Sequence, residues 1–463
     1  MVSIVLMSAI LGSTTAPAVP RDDAMVAARA YVLVYASRGS AAHRSIPSFA
    51  RQTGLACSAC HTTFPQLSPL GRLFKLNGYT LTGLKVVQAG DSGQRSSLRI
   101  DLIPPVSAMV LTSVSRTATA VPGARNTDLV FPQDASLFIA GGLSERMGMF
   151  AQISYEGIKG SFAVDNTEIR FVGRTELADK GIIYGLMLNN SPTSQDVWNS
   201  APAWRFPQAS STVAPTPAAA TLLDGALAHQ VAGLGGYAIW NGAFYAEFSA
   251  YRSAPQGGPH PPDQNAANTI QGIASYWRVF WEHIWGDETL MIGSLGLSAR
   301  LAPPGVTGPV NRYRDVGFDA QYERRLGGSY FSTHGSWIHE NRQFDAGVAS
   351  GASSHAENSL SKVRVDAGIL TSSRIGMTVG YFAVTGTADR LLWGGGPISG
   401  SVSGTPDSRG VIGELSYMPW LNTRFAMQYV AYDKFNGGST NYDGAGRNAS
   451  ANNTLYLSAW LVF

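Results

Sequence analysis

Beyond about residue 100 the chain alternates apolar and polar residues one by one. Val363, Val365, Ala367 and Ile369 are interleaved with Lys362, Arg364, Asp366 and Gly368. A period of two predicts a strand with one apolar and one wet face. Met147, Met149, Ala151, Ile153 and Tyr155 keep the same rhythm against Gly148, Gln152, Ser154 and Glu156. Phe318, Ala320 and Tyr322 alternate with Asp319, Gln321 and Glu323, and Phe425, Met427, Tyr429 and Ala431 repeat the pattern. Polar, Pro- or Gly-rich connections at 207–221, 253–268, 394–408 and 436–453 separate such runs. No amphipathic helix of comparable clarity interrupts them, and no later segment holds about 18 consecutive apolar residues, the length a spanning helix needs.

Alternating antiparallel strands fit two architectures. A soluble β-protein turns its apolar face inward; an outer-membrane barrel turns it toward lipid and keeps a polar lumen. The last strand favours the barrel: Leu455, Leu457, Ala459, Leu461 and Phe463 alternate up to a terminal aromatic, with Tyr456 and Trp460 as candidate membrane-interface residues. A final apolar strand ending in Phe resembles the assembly signal of bacterial outer-membrane barrels. Strand number follows from length. Dividing the residues after position 100 among 16 strands leaves about 23 for each strand and turn, whereas eight strands would need very long loops throughout. The expected fold is an all-β transmembrane barrel of about 16 antiparallel strands over residues 96–463, set in outer-membrane lipid. A barrel of this size encloses an aqueous channel wide enough for a small plug.

Composition agrees with a folded chain and narrows the partners. Apolar residues are 44% and charged residues 14% of the 463, too apolar for disorder. The net charge of +3 comes mostly from Arg, without a basic run, so a nucleic-acid partner has no electrostatic footprint. Two cysteines alone exclude a disulfide framework.

Those two cysteines carry the sharpest local signal, Cys57-Ser58-Ala59-Cys60-His61. Two thiols with two residues between them match the vinyl groups of one haem c, and the adjacent His reaches the iron as axial ligand. A zinc site would need further ligands at suitable spacing, and a redox dithiol would need a surrounding βαβ pattern that the flanks lack. The haem segment, 43–95, is too small to build a large core alone. Phe49, Leu55, Phe64, Leu67, Leu70, Leu73 and Phe74 are its expected packing partners, with Leu67, Leu70, Leu73 and Phe74 suited to one helical face. The distal ligand is open. The segment contains no Met, His43 is the only other His near the motif, and a vacant, water-bound or barrel-supplied position also fits. Arg51 and Arg72 are placed to meet haem propionates or solvent.

Residues 1–42 read as a signal region of uncertain cleavage site. Residues 1–20 are apolar and then small, with Ala16-Pro17-Ala18 as one cleavage motif, but lack a basic start. A second apolar stretch, 30–36, follows Arg29 and leads to Ser40-Ala41-Ala42, which admits Met25 as the initiator.

Residues 46–81, IPSFARQTGLACSACHTTFPQLSPLGRLFKLNGYTL, resemble the haem segment of fused outer-membrane cytochrome–porins, whose best-known members oxidise ferrous iron in iron-oxidising bacteria. The resemblance continues loosely through residues 189–207 and the terminal strand. It implies one haem held by Cys57, Cys60 and His61 at the head of a roughly 16-stranded barrel. The expected function is electron transfer from an extracellular donor, ferrous iron above all, to a periplasmic carrier such as a cytochrome or cupredoxin. As an enzyme the chain would be an oxidoreductase. Two other readings stand beside it: a diffusion porin with a structural or regulatory haem, and a haem peroxidase. Glu282-His283 and His339-Glu340 are further candidates for a metal ion at the barrel mouth.

Overall fold

The computed structural model describes residues 47–62, 65–80, 105–124, 126–157, 159–201, 210–253, 269–303, 308–420 and 422–463. The expected signal region, 1–42, and His43 lie outside them.

β1 (Val106–Thr117) both opens and closes the sheet. It pairs antiparallel with β2 (Leu129–Ser144) on one side and with β17 (Thr454–Val462) on the other. Between these, each strand pairs with its sequence neighbours, so the sheet is a closed antiparallel barrel with no free edge. β8 (Thr269–Ile270) is a two-residue stretch paired with the far end of β10 (Glu288–Ala302), alongside which β9 (Ala274–Trp285) also runs. Counted with β9, it leaves a barrel of 16 strands, the number expected from chain length.

The period of two sets which way each side chain points. On β11 (Asn311–Leu326), Asp315, Asp319, Gln321 and Glu323 are buried while Phe318 is 54% exposed. On β13 (Glu357–Leu370), Lys362 and Asp366 are buried and Val365 is exposed. Phe425, Met427 and Tyr429 stand outside, with Arg424, Ala426 and Gln428 inside. Charged residues therefore line the interior and aliphatic and aromatic ones cover the exterior, the reverse of a water-soluble sheet. Exposed to water, that exterior would cost about 25 cal/mol for every Å² of apolar surface. Hydrocarbon removes the cost. Tyr456 and Trp460 depart from the expected membrane interface. They share the parity of Ser458, so the Tyr456 hydroxyl donates to Gln133 inside the barrel at 2.9 Å, and the Trp460 indole faces Met109 of β1.

The two rims differ. One is made of tight turns, such as Ala178 and Asp179, at φ 51° and 59°, between β4 (Ser161–Leu177) and β5 (Lys180–Asn189). Positive φ at both positions is what a two-residue hairpin turn demands. The opposite rim carries the long connections, including 345–356, 387–407 and 435–453. In outer-membrane barrels short turns face the periplasm and long loops face outside.

The longest connection, 190–231, joins β5 to β6 (Ala232–Trp240), and its described parts, 190–201 and 210–231, fold into the lumen. The backbone N–H groups of Leu222 and Leu223 donate to Glu340 and Asp315 at 2.5 and 2.8 Å. Asp224 pairs with Lys362, and Gln195 donates to Glu247 at 2.8 Å. Between these polar anchors, Leu222, Leu223, Leu227 and Val231 pack on Tyr251, Tyr276, Leu295 and Leu297 of the wall. An apolar patch of the wall thus faces the lumen where the loop lands on it.

Candidate functional site

The N-terminal segment contributes three short helices: α1 (Ser48–Thr53), α2 (Cys57–Cys60) and α3 (Pro69–Leu76). Gly54, at φ 70°, ends α1 in the left-handed conformation that glycine adopts freely. α2 is one turn, closed by His61 N donating to Cys57 O at 2.9 Å, so both thiols and the imidazole follow one another on a single turn. Ser68 clamps that turn to α3. Its hydroxyl donates to Ala59 O at 2.6 Å and accepts from Gly71 N at 3.2 Å, while its own N donates to Cys60 O at 2.9 Å. Gly71 is required by the fit, because a Cβ there would lie 2.1 Å from Cys60 O. Leu55, Leu70 and Phe74 are buried, and the Phe49 ring meets Phe74 edge-on at 5.0 Å and stacks on Tyr79 at 5.3 Å. Phe64 lies outside the described residues.

Electrostatics at the turn suit a ligating imidazole. Burial pushes the His61 pKa down to about 4, so the ring is neutral at physiological pH and can offer a lone pair. Burial, and then the neighbouring Cys57, push the Cys60 thiol up to about 12. A redox dithiol works through a thiolate with lowered pKa, which this environment opposes. Among the described residues no three His, Cys, Asp or Glu side chains cluster to hold a metal ion. Two thiols beside a neutral imidazole on one clamped turn fit the donor set of a c-type haem.

The segment sits inside the barrel at the short-turn rim. Ser48 and Gln52 donate to Ala140 O of β2 at 2.6 and 2.8 Å, and Arg51 donates to Val106 O. Tyr237 of β6 donates to Leu76 O at 2.6 Å, and Tyr79 donates to Glu168 of β4 at 3.1 Å. Backbone meets backbone where Gly148 faces Gly78, since a Cβ on Gly148 would lie 2.1 Å from Gly78 O. Arg72 is the central anchor: it is 2% exposed and pairs with Glu323 at 2.9 Å and Glu282 at 3.1 Å. The expectation that Arg72 meets propionates or solvent is thereby corrected, because two buried wall carboxylates occupy it.

The Glu-His pairs are also corrected. Neighbours on a strand point to opposite faces, so Glu282 binds Arg72 inside while His283 stacks outside between Trp281 and Trp285, at 5.6 and 5.3 Å. Likewise Glu340 holds Leu222 N inside and His339 stacks on Trp337 at 5.9 Å. Neither pair can share one ion. Sequence reasoning missed the loop anchors Asp315 and Glu340, Trp198 of the inserted loop, and the lumen residue His334; each owes its place to partners distant in sequence.

An apolar exterior, ion pairs inside and a sheet without edges decide the environment. The chain is an outer-membrane β-barrel. Its fold is porin-like. It is similar to OmpT of Vibrio cholerae in its trimer form, with 11% identity and a TM-score of 0.43 over 77% of this chain and 98% of that one. It is similar also to OmpF of Salmonella typhi in complex with daunomycin, at 10% identity and a TM-score of 0.44 over 77% and 97%. The outer-membrane channel DcaP of Acinetobacter baumannii gives 10% identity and a TM-score of 0.42 over 77% and 96%. No protein-family model and no curated protein matches the sequence.

Proposed function

We propose that the chain is an outer-membrane electron-transfer protein that passes single electrons from extracellular ferrous iron to a periplasmic carrier. The observation that carries this reading is the Cys57–His61 turn, clamped by Ser68 and Gly71 and seated within the barrel. Cys57 and Cys60 would hold one haem c by thioethers, and His61 would be its proximal ligand. Bound haem supplies a reversible one-electron change at iron, tuned by its ligands and burial.

The remaining parts of the chain define access. Arg72 and Tyr79 fix the turn to the wall, and residues 190–201 and 210–231 of the inserted loop narrow the lumen above it. The short-turn rim leaves the segment within reach of a periplasmic carrier. Ferric iron precipitates near neutral pH, so oxidation on the outer side spares the cell interior. The test is to mix the oxidised, purified full chain anaerobically with a ferrous salt and follow the haem absorption. Prompt reduction that disappears in His61→Ala supports the proposal. An oxidised spectrum that persists under excess ferrous iron, across the growth pH range, eliminates it.

One observation favours a second reading, a diffusion porin. Ser136, Ser154 and Asp165 form a hydrogen-bonded polar track on the wall, with Ser136 to Ser154 at 2.9 Å and Ser154 to Asp165 at 3.0 Å. A polar wall suits hydrated solutes. Equal sugar uptake by liposomes carrying wild type or Cys57→Ala/Cys60→Ala would support that reading.

A further inference from the structure

His334 lies on β12 (Ser329–Phe344) and faces the lumen with Ser332 and Glu340. Its side chain is only 12% exposed. Nδ1 stands 2.6 Å from Asp366 Oδ1 on β13, and Arg364 pairs with the other oxygen of that carboxylate at 2.9 Å. An ionised carboxylate accepts only, so a neutral imidazole paired with it donates from Nδ1 and carries its lone pair at Nε2. That Nε2 is fully buried and has no hydrogen-bond partner among the described residues. A buried acceptor left unpaired costs free energy, and such groups mark either strain or a missing partner. A carboxylate behind one ring nitrogen and a lone pair on the other is the usual setting of a metal-ligating histidine.

Position supplies the second observation. The Gln66 side-chain amide lies 3.1 Å from His334 Nδ1, and the Gln66 carbonyl accepts from Thr62 N at 3.1 Å. His61 itself bridges to Leu67. His334 therefore abuts the small loop that leaves the Cys57–His61 turn, and residues 43–95 contain no Met to supply a sulfur ligand instead. The polar and charged groups around it are Gln66 of the segment, Ser332 on its own strand, Gln321 opposite it on β11, and Asp366 with Arg364 on β13.

We infer that His334 is a haem ligand supplied by the barrel wall, its Nε2 taking the second axial position on an iron held by Cys57, Cys60 and His61. The inference rests on the haem reading proposed above. It assigns the second position to β12 in place of His43, and it makes the cofactor a further tie between plug and wall. Two imidazoles would give a low-spin iron closed to outside ligands, and the absence of Met keeps its potential below that of a Met/His haem.

The experiment uses the full chain in detergent. Haem staining after denaturation comes first; unstained wild type ends the haem reading and this inference together. With stained wild type, the inference predicts a low-spin spectrum and no carbon monoxide adduct in the reduced state. His334→Ala should stay stained and still run faster on gels before boiling than after. Its spectrum should become high-spin, and it should bind carbon monoxide when reduced. His334→Met should restore the low-spin spectrum with a higher potential. A wild type that binds carbon monoxide readily, or a His334→Ala spectrum identical to wild type, overturns the inference and leaves the haem reading intact. Should His334→Ala fail to fold, the wild-type carbon monoxide result decides alone.

Discussion

The guanidinium of Arg72 lies 3.5 Å above the ring of Trp198, so the N-terminal segment and the inserted loop meet face to face inside the barrel. The loop enters from the long-loop rim and the segment sits at the short-turn rim. Arg72 also pairs with Glu282 and Glu323 on neighbouring walls, which makes it the point where three parts of the chain are tied together.

Removing that tie should free the segment without opening the barrel. Arg72→Ala leaves two carboxylates buried and uncompensated, a change that costs about 3–5 kcal/mol where one partner of a buried pair is lost. Limited proteolysis should then cut within 47–80, while the boiled and unboiled protein still separate on gels as wild type does. Equal protease resistance in the two proteins would show that the wall contacts of Ser48, Gln52 and Tyr79 suffice.

Trp198→Ala should act in the same direction but more weakly. A desolvated cation–π contact is worth about 2 kcal/mol, and the ion pairs to Glu282 and Glu323 remain. A double-mutant cycle with Arg72→Ala should give a coupling near that size, read from protease resistance; additivity would mean the stacked geometry adds nothing.

The loop 190–231 should swing out of the lumen when its polar anchors are cut. Asp315→Ala with Glu340→Ala leaves the N–H groups of Leu222 and Leu223 without acceptors in an otherwise packed site. Each lost charge-assisted bond costs about 1.5–3 kcal/mol. Single-channel conductance in planar bilayers should rise in the double variant. Unchanged conductance would locate the constriction elsewhere.

At the long-loop rim, acid should loosen the contact between 353–355 and 389–393. Hydroxyls of Ser353 and Ser354 and the backbone of Leu392 hold the Asp389 carboxyl well below the usual carboxylate range, outweighing its burial. A lowered folded pKa stabilises above the unfolded value, about 4, and the benefit fades as pH falls below it. The protection factors of these amides, taken relative to intrinsic exchange at each pH, should therefore fall between neutral and strongly acidic pH, and in Asp389→Asn they should be low throughout. Protection in wild type that does not change with pH would count against this role.

The exterior should reject charge. Val379 is 62% exposed to lipid, whereas its neighbour Thr378 has the opposite parity. Val379→Arg should cost the barrel about 2–4 kcal/mol if it lies near mid-membrane, and Thr378→Arg much less. Urea unfolding in lipid vesicles measures both.

Much of this was legible in the residues themselves. The interleaving of Phe318 and Ala320 with Asp319 and Gln321 is a local property, so barrel class and strand number could be read before any contact was known. The local geometry of the Cys57–His61 motif was legible too, because its spacing is contained within one turn of chain. What escaped depends on distant partners. Leu222 finds Glu340 at a separation of 118 residues, and His334 finds Asp366 at 32, through strand register rather than spacing. Glu282-His283 looked like a ligand pair for a related reason. Adjacent letters suggest adjacent side chains, but a strand sends them to opposite faces.

The central claim is that Cys57 and Cys60 carry a haem within this barrel, and the intact mass of the denatured protein tests it most directly. The full chain should be expressed in a host competent for c-type haem attachment, unfolded, stripped with acid–acetone and weighed. The account predicts wild type heavier than its polypeptide by one haem, with Cys57→Ala/Cys60→Ala at the bare polypeptide mass. A wild type that weighs the same as its polypeptide, in cells that mature another c-type cytochrome normally, would contradict it.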